Sequence, residues 1–278
     1  MALALGSSLA SKIYLGATEV TLAYLGATQV YSAGGAFSTE AQNYFDRLDT
    51  AGDTTYTTYK QPLANYIDGL VTLGGAYWNT MLSATSFVGV GIQGVTVPLR
   101  DGMTVPTNNN FVAGDLNQLT GLKGNASSKY INTGVNATDL SQNDTSISVY
   151  VTTPAITDNK YYAGAFSGAD ILSLWGPATS SRIDIFSTSP FTAGAKTTGG
   201  LYGGTRTGAA AQEMRVNQTN YPSSKASTAP VSAALSVFAT SGIAHTDARF
   251  ATYHAGPALN LATLEGLQAT LISEIAAI

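Results

Sequence analysis

The chain has 278 residues, no cysteine, and only 11% charged residues, with 13 Lys and Arg against 17 Asp and Glu. That length suffices for one large β domain or two smaller ones, and the missing cysteines exclude disulfides, thiolate metal sites and cysteine nucleophiles. The sparse, slightly acidic charge lacks the clustered Lys and Arg that a phosphate backbone needs, so nucleic acid is not an expected partner and the polar surface must come from Ser, Thr, Asn, Gln and Gly.

The opening residues from Met1 to Gly6 carry no basic side chain ahead of a short apolar run, so no secretion signal is expected. No stretch reaches the roughly 18 apolar residues of a membrane span, and no membrane insertion is expected. Tyr14-Leu15-Gly16-Ala17-Thr18 then recurs unchanged as Tyr24-Leu25-Gly26-Ala27-Thr28, a ten-residue internal repeat. Each copy reads as strand, glycine turn, strand, the second ending in Gln29-Val30-Tyr31. Isolated hairpins are marginal in water and must dock on something. Residues 1–35 are therefore expected to be an attachment segment, with Tyr14, Leu15, Tyr24, Leu25 and Val30 as its apolar contacts and Ser32-Ala33-Gly34-Gly35 as a flexible exit.

From Phe37 the pattern turns helical. Ser38 or Thr39 can cap a helix through Leu48 that stops near Ala51-Gly52. A second helix begins at Tyr59 or Pro62, with Leu63, Tyr66, Ile67, Leu70 and Leu73 on one face. Trp78 to Leu99 reads as a buried connector, and the turn formers over 101–110 mark a boundary, giving a small helical connector domain over residues 36–110. Beyond it, β-prone runs recur at Lys129–Val135, Ser146–Thr152, Tyr161–Phe166, Ile171–Trp175, Arg182–Phe186, Gly200–Arg206, Glu213–Val216, Ala234–Ala239 and Arg249–Tyr253. Short strands at this spacing, separated by Gly, Asn, Ser and Pro, argue for an antiparallel β-sandwich over 111–278. The chain closes with an amphipathic helix from Leu259 to Ile278, its end expected to pack on the sandwich or a neighbouring subunit. The expected fold class is thus mainly β: an N-terminal β-hairpin repeat, a small helical connector, and a C-terminal antiparallel jelly roll closed by a helix.

The carboxylates do not form the pair a retaining glycosidase needs, about 5 Å apart on one strand. Glu213 is the only glutamate between Glu40 and Glu265, and Asp184, between Ile183 and Ile185, is expected to face solvent. His245 and His254 are too few for a metal site, and Ser241, His245 and Asp247 lack a nucleophile elbow. Gly199-Gly200-Leu201-Tyr202-Gly203-Gly204 has neither the Lys-Ser nor the helix of a phosphate loop and reads as a strand with close backbone packing. No catalytic residue, no metal site and no cofactor are expected on these grounds. Carbohydrate recognition, by contrast, needs aromatic faces for sugar C–H surfaces and amides or Arg for hydroxyls. Trp175, Tyr161, Tyr162, Tyr202, Arg206, Asn217, Asn220 and Tyr221 supply those groups at or near strand ends. The competing reading makes Trp175 and most of the tyrosines core or cross-strand residues.

Three passages resemble a family of bacteriophage virion proteins, tail fibres and spikes especially, that carry a concanavalin A-like or laminin G-like jelly roll. The doubled Tyr-Leu-Gly-Ala-Thr hairpin is similar to the Lys-Ile-Tyr-Leu-Gly-Ser-Thr-Glu-Val repeats at the front of such proteins. Asn109-Asn110-Phe111 through Thr133 resembles the entry into the jelly roll, and Arg249-Phe250-Ala251-Thr252-Tyr253-His254 with the Leu-rich helix resembles its last strand and closing helix. The resemblance implies a virion protein assembled in the host cytoplasm, attached to other virion proteins through the hairpins, homo-oligomeric and commonly trimeric, and displaying a lectin-like domain for host-surface glycan. A purely structural head decoration or joining protein is the alternative, and a polysaccharide-degrading enzyme is disfavoured by the missing acidic pair. Laminin G-like domains sometimes bind calcium, for which Asp139, Asp144 and Asp158 are candidates; their other reading is as ordinary turn residues.

Overall fold

The computed structural model describes residues 37–278 apart from 74, 157–159, 169, 177–179, 188, 195–197 and 231, together with four short strands ahead of them. The chain divides into two compact units, Met1–Thr39 and Glu40–Ile278. In the first, β1 (Tyr14–Leu15) pairs antiparallel with β2 (Thr18–Glu19), and β3 (Leu22–Leu25) with β4 (Thr28–Ser32). Each copy of the repeat thus forms its own hairpin. The side chains of Tyr14, Leu15, Tyr24, Leu25 and Val30, and the exit Ala33-Gly34-Gly35, lie outside the described residues.

The second unit opens on three helices. In α1 (Thr39–Thr50) the three- and four-residue spacing buries Ala41, Tyr44, Phe45 and Leu48, and in α2 (Lys60–Thr72) it buries Leu63, Tyr66, Ile67 and Leu70; α3 (Gly75–Thr80) follows. Gly52 takes a left-handed φ of +76° just past α1, a conformation that favours glycine. The strands are β5 (Ser83–Ser86), β6 (Thr107–Asn109), β7 (Leu116–Asn117), β8 (Gly121–Lys123), β9 (Tyr130–Asn136), β10 (Thr145–Thr153), β11 (Lys160–Phe166) and β12 (Asp170–Gly176). They continue with β13 (Ser180–Ile185), β14 (Phe191–Gly194), β15 (Gly200–Gly208), β16 (Ala211–Val216), β17 (Thr219–Ser223), β18 (Ala234–Val237) and β19 (Arg249–Gly256), and α4 (Leu261–Ala276) closes the unit.

Among the described residues, an eight-stranded sheet runs β17-β16-β15-β10-β19-β8-β7 with β5 also on β19, and a seven-stranded sheet runs β14-β13-β12-β11-β18-β9-β6. The named strands pair antiparallel, and the two sheets pack face to face as a jelly-roll sandwich. The alternation of β10 and β13 turns Ile147, Val149, Ile183 and Ile185 into the core. An aromatic ladder crosses it: Tyr202 to Tyr162 at 5.1 Å between ring centroids, Tyr162 to Phe250 at 5.1 Å, and Phe250 to Phe238 at 4.3 Å. The sheets approach closely at Gly204, where a Cβ would fall on Ile183 Cδ1, so only glycine fits at that point of β15.

A helical layer covers the outer face of the eight-stranded sheet. Thr252 and His254 point outward from β19, opposite Tyr150 and Ser148 of β10, yet both are buried beneath the helices. Gln268 Nε2 of α4 donates to Thr252 Oγ1 at 2.7 Å, and Tyr66 Oη of α2 lies 2.5 Å from His254 Nε2. Asn260 caps α4 by accepting from the backbone N–H groups of Ala262 and Thr263.

One expectation needs correction. The stretch 36–110 is not a separate connector domain: β5 is hydrogen-bonded into the large sheet beside β19, β6 into the small one beside β9, and α2 packs against α4. Ser-Ala-Thr-Ser carries no apolar alternation, so the all-buried β5 left no mark in the pattern. The closing helix buries Leu261, Leu264, Leu271 and Ile275 within the chain, whereas Ile278 stands 64% exposed.

Burial lowers the His254 imidazole pKa from an ordinary 6.5 to about 3. Between those values the unfolded chain binds a proton that the folded chain refuses. Stability contributed by the neutral ring is therefore complete above pH 6.5 and lost as pH falls towards 3, by up to about 1.4 kcal/mol per pH unit. His254→Gln removes this dependence. The urea midpoint of the wild type should fall faster than that of H254Q between pH 7 and pH 4; parallel curves would contradict the neutral buried ring.

Candidate functional site

Strand parity places one group of candidates on the outer face of the seven-stranded sheet. Leu174 and Ile183 point into the core, so their neighbours Trp175 and Arg182 point out, directly opposite each other across β12 and β13. Tyr161 pairs with Trp175 from β11, and a register shift between Tyr161 and Ala163 sends the intervening Tyr162 inward. The Tyr161 and Trp175 rings lie 4.6 Å apart at 58°, and the Arg182 guanidinium sits 5.0 Å from the indole centroid. Trp175 Nε1 donates to Ser173 Oγ at 3.0 Å, which orients the indole. All three side chains are half-buried. Such a surface offers aromatic faces to sugar C–H groups and a guanidinium to hydroxyl oxygens.

The other candidates have different roles. Tyr162 and Tyr202 are rungs of the core ladder and present no face to a ligand. Arg206 is fully buried: Nε donates to Ile185 O at 2.7 Å, Nη2 to Gln212 Oε1 at 2.8 Å, and Nη1 to Lys225 O at 3.0 Å and to the carbonyls of Gly208 and Ala209 at 3.3 Å. It is a clamp between the sheets, with a pKa lowered by burial and partly restored by Asp184. Asn217 and Gln218, with φ of 42° and 66°, form the tight turn from β16 to β17. Asn217 Nδ2 donates to Thr198 Oγ1 at 2.7 Å, Asn220 Oδ1 accepts from Arg215 Nη1, and Tyr221 pairs with Met214. These last three belong to the eight-stranded sheet, so the structure does not bring them together with Trp175. Arg182, which joins the aromatic pair, was not among the sequence candidates. Its position beside Ile183 in an alternating strand carried the signal, but the pairing that sets it against Trp175 did not show.

Asp184 corrects a further expectation. It is buried rather than solvent-facing, because the chain folds back after β13 and Ser187 donates to Asp184 Oδ1 from both its N–H, at 3.0 Å, and its hydroxyl, at 2.8 Å. Ser241 Oγ accepts from Phe166 N–H at 2.8 Å and lies 3.1 Å from the main-chain carbonyls of Phe166 and Ala234, which share its one proton. The His245 ring packs on Tyr130 at 5.7 Å, its pKa lowered by burial and by Lys160, while Asp247 accepts from Ile156 N at 3.3 Å. The three do not form a relay. Glu265 is held by Arg215 Nε at 2.7 Å and accepts from the N–H groups of Leu201 and Gln218. Of the calcium candidates, Asp139 accepts from Asn136 N and Asp144 from Ala258 N, each at 2.8 Å, and Asp158 lies outside the described residues.

No protein-family model matches the chain, and no curated protein does. Among solved structures it is similar to domain 4 of AbnA, a GH43 extracellular arabinanase from Geobacillus stearothermophilus in complex with arabinotriose, at 11% identity and a TM-score of 0.40, over 68% of this chain and 98% of that one. It is similar to the botulinum neurotoxin serotype D binding domain at 10% identity and a TM-score of 0.48, over 69% of this chain and 52% of that one. A Trypanosoma rangeli sialidase in complex with 2,3-difluorosialic acid matches at 13% identity and a TM-score of 0.42, over 76% of this chain and 38% of that one.

Arg206→Ala leaves several buried carbonyls and the Gln212 amide without their donor. It should destabilise the fold by about 3 kcal/mol or more in urea unfolding. A variant of wild-type stability would remove the clamp and return Arg206 to the candidate ligand residues.

Proposed function

We propose that this protein is a virion surface protein whose sandwich binds a host-surface glycan without turning it over, and whose N-terminal hairpins mount it on the particle. The observation that carries the glycan reading is the half-exposed Tyr161–Trp175–Arg182 group, displayed on the sheet face opposite the helical layer. Aromatic rings on this outer face bring no core packing, and stacking on the C–H faces of sugars is the role that fits them. The acidic side chains Asp184 and Glu265 are committed to Ser187 and Arg215, which takes both out of a catalytic carboxylate pair. The doubled hairpin supports the mount, since two small hairpins in a unit of their own need a partner surface. Several copies per particle, as a trimer or otherwise, would add the avidity that single sugar contacts lack.

Glycan arrays and host-cell polysaccharides probed with the full chain test the binding role. Trp175→Ala should lower binding at least about tenfold, the worth of one stacked aromatic contact, with the fold retained and the melting temperature lowered by about a few degrees through the lost Tyr161 and Arg182 contacts. Absence of binding to any host polysaccharide would leave the sandwich as a structural decoration. For the mount, removal of residues 1–35 should abolish incorporation into particles, and normal incorporation would refute it.

A further inference from the structure

The helical layer does not cover the whole outer face of the eight-stranded sheet. Beside β15, β16 and β17 an open groove of about 960 Å³ remains, its far wall formed by Ala258, Leu259 and Asn260 as the chain enters α4. We propose that this groove is a second saccharide site, for a chain of neutral sugars, and that the sandwich therefore binds glycan on two opposite faces. The choice of a saccharide as ligand rests on the function proposed above.

The floor is a cross-strand row, Thr205 opposite Glu213 and Glu213 opposite Pro222. Gly204 and Arg206 point into the core, so this row points out. Thr205 is only 7% exposed, with its hydroxyl sealed away from the groove, and it forms part of the floor beside Glu213. Glu213 is the one charged side chain in the lining. A carboxylate accepts hydroxyl protons strongly and repels anions, which selects neutral sugars over acidic ones. Arg215 occupies Asn220 Oδ1 and leaves the amide N–H groups to donate. Pro222 and Leu259 add apolar surface between these polar groups. Sugars carry that same mixture of C–H faces and hydroxyl edges, and the volume accommodates more than one ring.

The full-length Trp175→Ala protein, ¹⁵N-labelled, isolates the groove from the aromatic face. Titration with maltohexaose, cellohexaose and laminarihexaose should give saturable shifts at the amides of Thr205, Thr207, Asn220 and Ser223 with at least one of them, and an anionic hexagalacturonate should bind there more weakly. Adding Glu213→Gln should weaken that binding about tenfold, the loss of a charged hydrogen-bond acceptor. A groove silent to every neutral probe, tighter binding of the anionic one, or unaltered affinity in the Glu213→Gln variant would overturn the site. The two sites fail separately: groove shifts that persist while W175A leaves glycan binding intact remove the aromatic face alone, and lost binding in W175A with a silent groove removes the groove alone.

Discussion

The close approach of the two sheets is the constraint from which the other features follow. Ile183 occupies the space above Gly204 that a side chain would need, and Tyr162 bridges from one sheet to Tyr202 of the other at 5.1 Å. With so little room, strand parity decides the fate of every residue, since each side chain either fills the interior or leaves it. Tyr161 and Tyr162 are adjacent and chemically identical, yet one packs at a tilt against a half-buried indole and the other is sealed in the core. The same rule separates Arg182, free to lie over Trp175, from Arg206, enclosed among backbone carbonyls.

On one side of the sandwich parity acts a second time. The outward residues of β10, β15 and β19 meet α2 and α4 instead of water, so the sheet–helix interface is built on polar contacts that would be ordinary at a surface and must be matched once buried. Tyr66 meets His254, Gln268 meets Thr252, and Glu265 receives Arg215 together with two main-chain N–H groups. Helix α4 begins at the Asn260 cap, and next to that cap the sheet face is bare. The groove is thus the part of the outer face that lies ahead of the first turn of α4.

Legibility in the sequence followed the same physics. Strands with clean alternation, such as Ser146-Ile147-Ser148-Val149 and Arg182-Ile183-Asp184-Ile185, announced themselves, as did α1, α2 and α4 through their three- and four-residue apolar steps. Strands that escaped notice lack that signature or are only two to four residues long: Ser83–Ser86 is polar yet wholly buried, Thr107–Asn109, Leu116–Asn117, Gly121–Lys123 and Phe191–Gly194 are too short to show a period, and Thr219–Ser223 contains Pro222 and lies at a sheet edge. Of the candidate site residues, aromatic type was readable but orientation was not. A single register shift beside Tyr161 reverses which tyrosine faces solvent, and nothing in Lys-Tyr-Tyr-Ala-Gly-Ala-Phe encodes it. Asp184 misled for a related reason, because its alternating position was outward but a returning turn then covered it.

A chain with only 11% charged residues cannot use long-range electrostatics to draw a ligand in. On the proposed reading, neutral polar faces must recognise an equally neutral polymer through short-range stacking and hydrogen bonds, and each such contact on an open β face is weak. Affinity then has to come from number. Two outward faces on one sandwich, pointing away from each other, cannot close around one sugar ring, but they can engage separate strands of a dense polysaccharide layer. Once the first is engaged, the second meets its ligand at the effective concentration set by the layer itself, and copies of the chain on one particle extend that gain further. The helical layer, by leaving one end of its sheet uncovered, is what makes the second face available.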